Sequence, residues 1–295
     1  VNRIRLESGS QPIPGWKLTE LRGKGGFAEV WEAVSPDGQR CAIKFMASRN
    51  SASSIKEMKI IQAIQKLKHS SLLRMERIWS IPEYIVIAME LADGSLFDLL
   101  EAYQNEYSTA MTPDVVLHYL VSVADGLDYL NAHQHPFEGR TVGFQHADVK
   151  PSNLLLVGDT AKLADFGLCR PTSMLSQQQE KSGTLDFAAP EVHRGILADS
   201  SDQYSLAVTY FHLRTAQFPF PAITSGFKRE HSYQRPAPNL AGVSREEARV
   251  LERALDLEPS RRWPNCRAMM AAMNEACGTN HQTPVPSSKY GAVMV

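Results

Sequence analysis

Long apolar runs are missing from this 295-residue chain. Tyr84 to Met89 and Leu154 to Val157 are typical, and neither approaches the roughly 20 residues of a membrane helix. Cysteine is scarce. Cys41, Cys169, Cys266 and Cys277 are scattered without a C-x-x-C pair, which argues against a disulfide framework and for a reducing compartment. Excess charge of one sign is missing too. With 31 Lys+Arg against 32 Asp+Glu the net charge is −1, which disfavours nucleic acid as a partner and leaves room only for a local basic groove. Residues 1–16 are polar and broken by prolines and show no signal peptide. The chain opens on Val1 rather than Met, as a fragment would, so a membrane segment outside it stays open. What remains is an ordinary globular composition, 43% hydrophobic and 21% charged, with material for one or two domains.

No internal repeat is evident. Alternation around Gly and Pro-Asp-Gly predicts strands over Trp16 to Arg22, Ala28 to Val34 and Arg40 to Met46. Ser35-Pro36-Asp37-Gly38 suits a hairpin turn between the last two. Ile55, Met58, Ile61 and Ile64 recur at helical spacing after a serine cluster. Two more strands are expected, Leu72 to Ile78 and Tyr84 to Met89. After Ala92-Asp93-Gly94 the pattern turns helical: Leu96 to Tyr103, Thr112 to His133, Asp202 to Arg214, Ser244 to Leu257 and Asn265 to Ala276. Thr112-Pro113 is a good helix start, and Leu117, Leu120, Val121, Ala124 and Leu127 form one apolar stripe. The shift predicts an α+β chain of two lobes, a strand-rich 16–90 and a helix-rich 95–277 joined near 90–94. Residues 1–15 read as an extension and 278–295 as a disordered tail.

Four stretches carry chemistry. Gly23-Lys24-Gly25-Gly26-Phe27-Ala28-Glu29-Val30 sets glycines between two strands, where backbone N–H groups can approach phosphate with no Cβ in the way. Such loops are common, and alone this one reads better as a plain hairpin turn. Lys44 in Ala42-Ile43-Lys44 suits phosphate oxygens if a carboxylate holds it, and Glu57 is the candidate. Glu57 has a rival role, because Ser54-Ile55-Lys56-Glu57 is also a capping box. A helix starting nearer Ser51 would put Glu57 inside it. The strongest signal is His146-Ala147-Asp148-Val149-Lys150-Pro151-Ser152-Asn153, a pattern expected by chance about once in a thousand such chains. Asp148 can accept a hydroxyl proton, Lys150 can neutralise a moving phosphoryl group, and Asn153 can offer its amide oxygen to a metal ion. Asp165-Phe166-Gly167 follows a short strand, Ala161 to Ala164, and offers Asp165 as a hard oxygen ligand for Mg²⁺.

With these residues the chain resembles the eukaryotic-like (Hanks-type) Ser/Thr protein kinases, in motif style the bacterial members more than the animal ones. The resemblance runs from Trp16 to about Ala276 and includes Ala189-Pro190-Glu191, Asp202 and Arg262. It implies a two-lobed kinase fold with a small β-rich lobe, one main helix there and a larger helical lobe. It implies ATP and Mg²⁺ as cofactors and proteins with Ser/Thr hydroxyls as acceptors. Lys44, tied by Glu57, would hold the α- and β-phosphates under Gly23, Gly25 and Gly26. Val30, Ala42 and Leu155 would sandwich the adenine, with Met89 as gatekeeper and Glu90 to Ala92 reading its edge. Asp148 would be the base, Asn153 and Asp165 the Mg²⁺ ligands, and Glu191 with Arg262 a structural ion pair. Lys150 and the Thr184 hydroxyl, expected to contact Asp148 and Lys150, favour Ser/Thr acceptors over tyrosine.

Three features depart from the family pattern. Ala28 replaces the third loop glycine, a change that should spare ATP binding. Ala147 replaces the Arg that receives an activation-segment phosphate, which predicts activity not strictly dependent on phosphorylation there. Thr172, Ser173, Ser176 and Ser182 remain modifiable. Residues 135–143 are longer than the usual connection and suggest a turn or short hairpin. His133, His135 and His146 invite a metal-site reading that their positions do not favour. A pseudokinase is the competing class, opposed by intact Lys44, Asp148, Asn153 and Asp165. A small-molecule kinase is disfavoured by Ala189-Pro190-Glu191 and Gly183-Thr184. The expected location is the cytoplasm, alone or as the cytoplasmic part of a membrane-attached chain.

Overall fold

A computed structural model describes residues 4–26, 28–48, 52–172, 185–221 and 235–278, with 52–54 described by backbone alone. They fall into two units, one drawn from residues 1–68 and 73–92, the other from 69–72 and 93–295.

The first unit is a five-stranded antiparallel sheet with one helix. Its elements are β1 (Lys17–Lys24), β2 (Ala28–Val34), β3 (Arg40–Ala47), α1 (Ala52–Gln65), β4 (Met75–Ile81) and β5 (Tyr84–Met89), in the sheet order β1-β2-β3-β5-β4. The β2–β3 turn is the expected one. Gly38 takes φ +79°, a value most side chains resist, and its N–H bonds to Ser35 O at 2.9 Å. Period-two alternation then sorts the strands into two faces. Trp31, Ala33, Cys41, Ile43, Phe45, Val86 and Ala88 pack on one, joined by Ile13, Trp16 and Leu18. Ile13, Trp16 and the partly buried Leu6 bring the stretch before β1 into this core. On the other face, Ile85 and Ile87 meet Ile61 of α1.

The predicted strand Leu72 to Ile78 starts later, at Met75. Leu72 instead bridges Leu163 in the second unit. Ser71 O accepts from Leu163 N at 2.8 Å. A Cβ on Gly126 would lie 2.9 Å from the Ser71 Cβ, so glycine there lets this segment lie close to its helix.

The second unit continues with β6 (Gly94–Ser95), α2 (Leu96–Tyr107), α3 (Pro113–Leu130), β7 (His135–Phe137), β8 (Arg140–Val142), β9 (Phe144–Gln145), β10 (Leu154–Val157), β11 (Thr160–Leu163), β12 (Arg170–Pro171), α4 (Pro190–His193), α5 (Ser201–Thr215), α6 (Arg245–Ala254) and α7 (Cys266–Cys277). Reciprocal capping boxes start α2 (Ser95 with Asp98) and α6 (Ser244 with Glu247). Helix α2 runs on past the predicted Tyr103 to Tyr107, whose ring lies 5.8 Å from that of Tyr103 one turn earlier. Helix α3 stops at Leu130 rather than His133, which takes φ +54°. Its buried stripe uses Val123 where the sequence suggested Val121, because 116, 117, 120, 123, 124, 127 and 130 follow the helical period. Residues 135–142 form the hairpin β7–β8, turned at Glu138-Gly139 with positive φ at both. Its base is anchored by Phe137 against Phe144, with ring centroids 5.8 Å apart.

Helix α5 is buried along most of its length and carries Asp202, Gln203, Ser205 and Thr209 as buried polar residues. A helix buried on all sides has little apolar periodicity to read, and its polar side chains are there to bond other segments. Gln203 takes Trp263 N–H and gives to Trp263 O, both at 3.0 Å. Among the described residues no helix is long and apolar enough to cross a membrane.

Candidate active site

The loop from His146 to Asn153 runs between β9 and β10 and ends in a 3₁₀ turn at Pro151–Asn153. It is fastened from below by α5. The Asp202 carboxylate accepts His146 N–H at 2.6 Å and Ala147 N–H at 2.8 Å. Ala147 sits at φ +64°, a left-handed conformation that costs a residue with a Cβ, and these bonds hold it there. Burial pushes the Asp202 carboxyl above its ordinary range, opposed by His146 and the two amides. His146 is fully buried. Its Nε2 lies 2.8 Å from Ala164 O, and since a carbonyl only accepts, that nitrogen carries the proton. The ring meets Phe166 edge-on at 5.4 Å.

On this platform Asp148, Lys150 and Asn153 come together. Lys150 Nζ is 2.9 Å from Asp148 Oδ2. Asn153 Nδ2 donates to Asp148 Oδ2 and to Asp148 O, each at 2.8 Å. The Asn153 amide nitrogen is thus spent on Asp148, and its oxygen takes no part in those bonds. Asn153 O accepts from Ala164 N at 2.9 Å, which sets Asp165 one residue from that link. Asp165 has φ +61° and accepts Gly167 N–H at 3.4 Å, while Phe166 is buried. Two hard oxygen donors on adjoining segments fit a small divalent cation such as Mg²⁺. Leu155 lies on β10, paired with Ser95 and Lys162.

A buried ion pair sits at the start of α5. Arg262 Nη1 and Nη2 meet Glu191 Oε1 and Oε2 at 2.7 and 2.8 Å, and Ser201 Oγ donates to the same Oε1 at 2.7 Å. This is the pair expected from Ala189-Pro190-Glu191. The three histidines do separate work. His135 Nε2 lies 2.7 Å from Tyr129 O, and His133 is 3.4 Å from Asp199. Cys169, just after Phe166-Gly167-Leu168, is buried, and burial pushes its thiol well above the ordinary value, so it is a poor nucleophile.

In the first unit the remaining predicted residues share one sheet face. Val30 is opposite Lys44, Lys44 is opposite Ile87, and Ala42 is opposite Met89. Directly opposed antiparallel residues point the same way, so Val30, Ala42, Lys44 and Met89 share the face that also carries Ile85 and Ile87, against which α1 packs. Helix α1 begins at Ala52, so Glu57 lies inside it and the capping-box alternative falls away. Gly23 ends β1, and Gly25 N–H bonds to Ala28 O at 2.8 Å across the loop that also carries Gly26. Lys24 pairs with Glu29 at 2.8 Å across the same loop. Glu90 takes Arg74 N–H on its side chain at 2.7 Å and gives its own N–H to Arg74 O at 3.0 Å. Ala92 closes the unit's second segment. Thr184, Gly183, Ser173, Ser176 and Ser182 lie outside the described residues. Thr172 N–H bonds to Gly143 O at 2.8 Å.

A loop held by a buried carboxylate, presenting an Asp bonded by both a Lys and an Asn, with a second Asp on the adjoining segment, is the arrangement of a phosphoryl-transfer site. The chain belongs to the protein kinase domain family, whose model matches residues 16–274. It is 30% identical to mitogen-activated protein kinase kinase kinase 3 of Arabidopsis thaliana, over 71% of this chain and 37% of that protein. It is 28% identical to CBL-interacting protein kinase 4 of Oryza sativa subsp. japonica, over 85% of this chain and 56% of that protein. Serine/threonine-protein kinase unc-51 of Caenorhabditis elegans is 29% identical over 70% of this chain and 24% of its own length. The chain thus spans between a quarter and just over half of these relatives.

Two features had no signal in the sequence. One is Gly126 and its close approach to Ser71. The other is Arg235, a buried residue bonded to carbonyls of residues 185–188. Both depend on partners about 50 or more positions away.

Proposed function

We propose that this chain is an ATP- and Mg²⁺-dependent protein kinase that phosphorylates Ser and Thr hydroxyls of proteins. The observation that carries this reading is the contact set of Asp148, Lys150 and Asn153 at 2.8–2.9 Å, with Asp165 adjoining. In the reaction the acceptor oxygen bonds to the γ-phosphorus, the bridging P–O bond to ADP breaks, and ADP leaves with that electron pair. Asp148 takes the hydroxyl proton, and Lys150 balances charge on the moving phosphoryl group. Asn153 and Asp165 hold Mg²⁺, which supplies charge neutralisation to the phosphates when bound. Lys44, positioned by Glu57, serves the α- and β-phosphates, with backbone N–H groups of Gly23, Gly25 and Gly26 beside it. Val30, Ala42, Met89, Glu90, Ala92 and Leu155 serve the adenine. Lys150 favours Ser/Thr over Tyr acceptors, as do the relatives named as Ser/Thr kinases. With Ala147 in place of Arg, activity does not require a phosphate on the activation segment. Free cysteines fit a reducing compartment such as the cytoplasm.

The test is label transfer from γ-labelled ATP with Mg²⁺ to dephosphorylated casein, with Asp148→Ala alongside. Transfer by the parent and none by the variant is expected, and phosphatase treatment of the parent should leave it active. Nucleotide binding without transfer by either would make the chain a pseudokinase.

A further inference from the structure

The backbone between Thr184 and α4 is gripped from within by one cation. Arg235 is 3% exposed. Its Nη2 lies 2.8 Å from Leu185 O, 3.0 Å from Asp186 O and 2.7 Å from Ala188 O. The same nitrogen is 3.3 Å from His193 Nε2. That nitrogen carries two N–H groups, which these four neighbours share, and towards a guanidinium the histidine nitrogen can only accept. The guanidinium carbon sits 4.5 Å from the Phe220 ring centroid and 5.9 Å from that of Tyr204. No carboxylate among the described residues pairs with it. Arg235 therefore joins four pieces of backbone: the turn at 185–188, α4 through His193, α5 through Tyr204, and the segment after α5 through Phe220. Within the turn itself the one backbone bond is long, Ala188 N to Leu185 O at 3.2 Å. The carbonyls get their strong bonds from the charge of Arg235 instead.

We propose that Arg235 is a positioning residue for the protein acceptor. By fixing the Leu185–Ala188 turn it fixes the backbone that leaves Thr184 and leads into Ala189-Pro190-Glu191, and so the surface on which an acceptor hydroxyl is offered to Asp148. This rests on the protein kinase reading. Asp148, Lys150 and Asn153 are held by bonds of their own and by Asp202, and none of those bonds passes through Arg235. Loss of the grip should therefore weaken acceptor use and spare nucleotide binding.

The experiment uses two variants of the whole chain. Arg235→Met keeps the apolar bulk and removes every donor. Arg235→Lys keeps three N–H donors for three carbonyls and loses the planar face over Phe220. KM for dephosphorylated casein, Kd for ATP and amide hydrogen exchange are measured on each. The Met variant should raise the casein KM about tenfold with the ATP Kd changed less than about twofold, and the Lys variant should recover most of that loss. Exchange in the Met variant should quicken over residues 185–193 and stay at parent rates over 146–153, a readout that needs no activity. A Met variant with parent casein KM overturns the proposal. So does an equal loss of casein and ATP affinity, or faster exchange throughout the chain, since either makes Arg235 merely structural. A parent that transfers no phosphate while the local exchange difference persists overturns the kinase reading and the acceptor role with it, and leaves the grip on the turn standing.

Discussion

The two units use charge differently. In the strand-rich unit, Lys24, Arg22 and Arg40 keep their charge at the surface, although Glu32 itself is only 6% exposed. Lys24–Glu29 brackets the glycine loop, and Glu32 is shared between Arg22 and the exposed Arg40. The helix-rich unit has surface pairs too, such as Arg267–Asp125, but it also buries charges and bonds them to fixed partners. Asp202 holds two loop amides, Arg262 locks Glu191, and Arg235 gathers three carbonyls. A surface pair trades water for a partner and gains little, whereas a buried charge must be met from fixed directions and so fixes what meets it. The comparison teaches that precision in this molecule is concentrated where charge is dry, around the loop that carries Asp148.

Substitutions can break or sharpen that contrast. The largest effect should come from Asp148→Asn, which keeps shape and removes the base. Label transfer should fall by about 10²–10⁴-fold with ATP binding intact. Arg262→Met should come next for stability. It strands Glu191 as a buried charge, and denaturant unfolding should show a loss of about 3–5 kcal/mol. A smaller effect is expected from pH. In Glu247, burial pushes the carboxyl up, but bonds from the Tyr210 hydroxyl, the Ser244 amide and Arg214 outweigh it, and the carboxyl ends below its ordinary value. The unfolded chain therefore binds that proton more readily than the folded one. The stability it contributes is full above the ordinary carboxylate range and is lost as pH falls through the lowered value. Melting curves from pH 7 downward should show a shallower acid decline for Glu247→Gln than for the parent. Asp202, with its carboxyl raised by burial, has the opposite sign, and its contribution declines as pH rises through the raised value. The smallest effect should be Glu32→Gln, which frees two arginines into water and should shift Tm by about 2 °C or less.

Much of the site was readable because its chemistry is local. Asp148, Lys150 and Asn153 lie within six residues, and their spacing alone put them together. Strands β2 and β5 have the expected ends because alternation and a tight turn are short-range signals. Leu72 misled because a short apolar stretch reads as strand wherever it goes, and its partner, Leu163, is far along the chain. Helix α5 gave a weak apolar pattern because it is buried all round, and the partners of its polar residues lie far along the chain. Arg235 was invisible for the same reason, since its carbonyl partners have no sequence signature.

The most direct test of this contrast is to measure kcat for casein phosphorylation in Asp202→Asn and Glu32→Gln beside the parent. An amide can accept only one of the two N–H groups that Asp202 now takes, so the loop that carries Asp148 loses a fastening. Asp202→Asn should lower kcat by about 10²-fold with ATP binding retained, and Glu32→Gln should stay within about twofold of the parent. Equal losses in the two variants, or a parent-like Asp202→Asn, would contradict the claim that buried charge in the helix-rich unit sets the geometry of transfer.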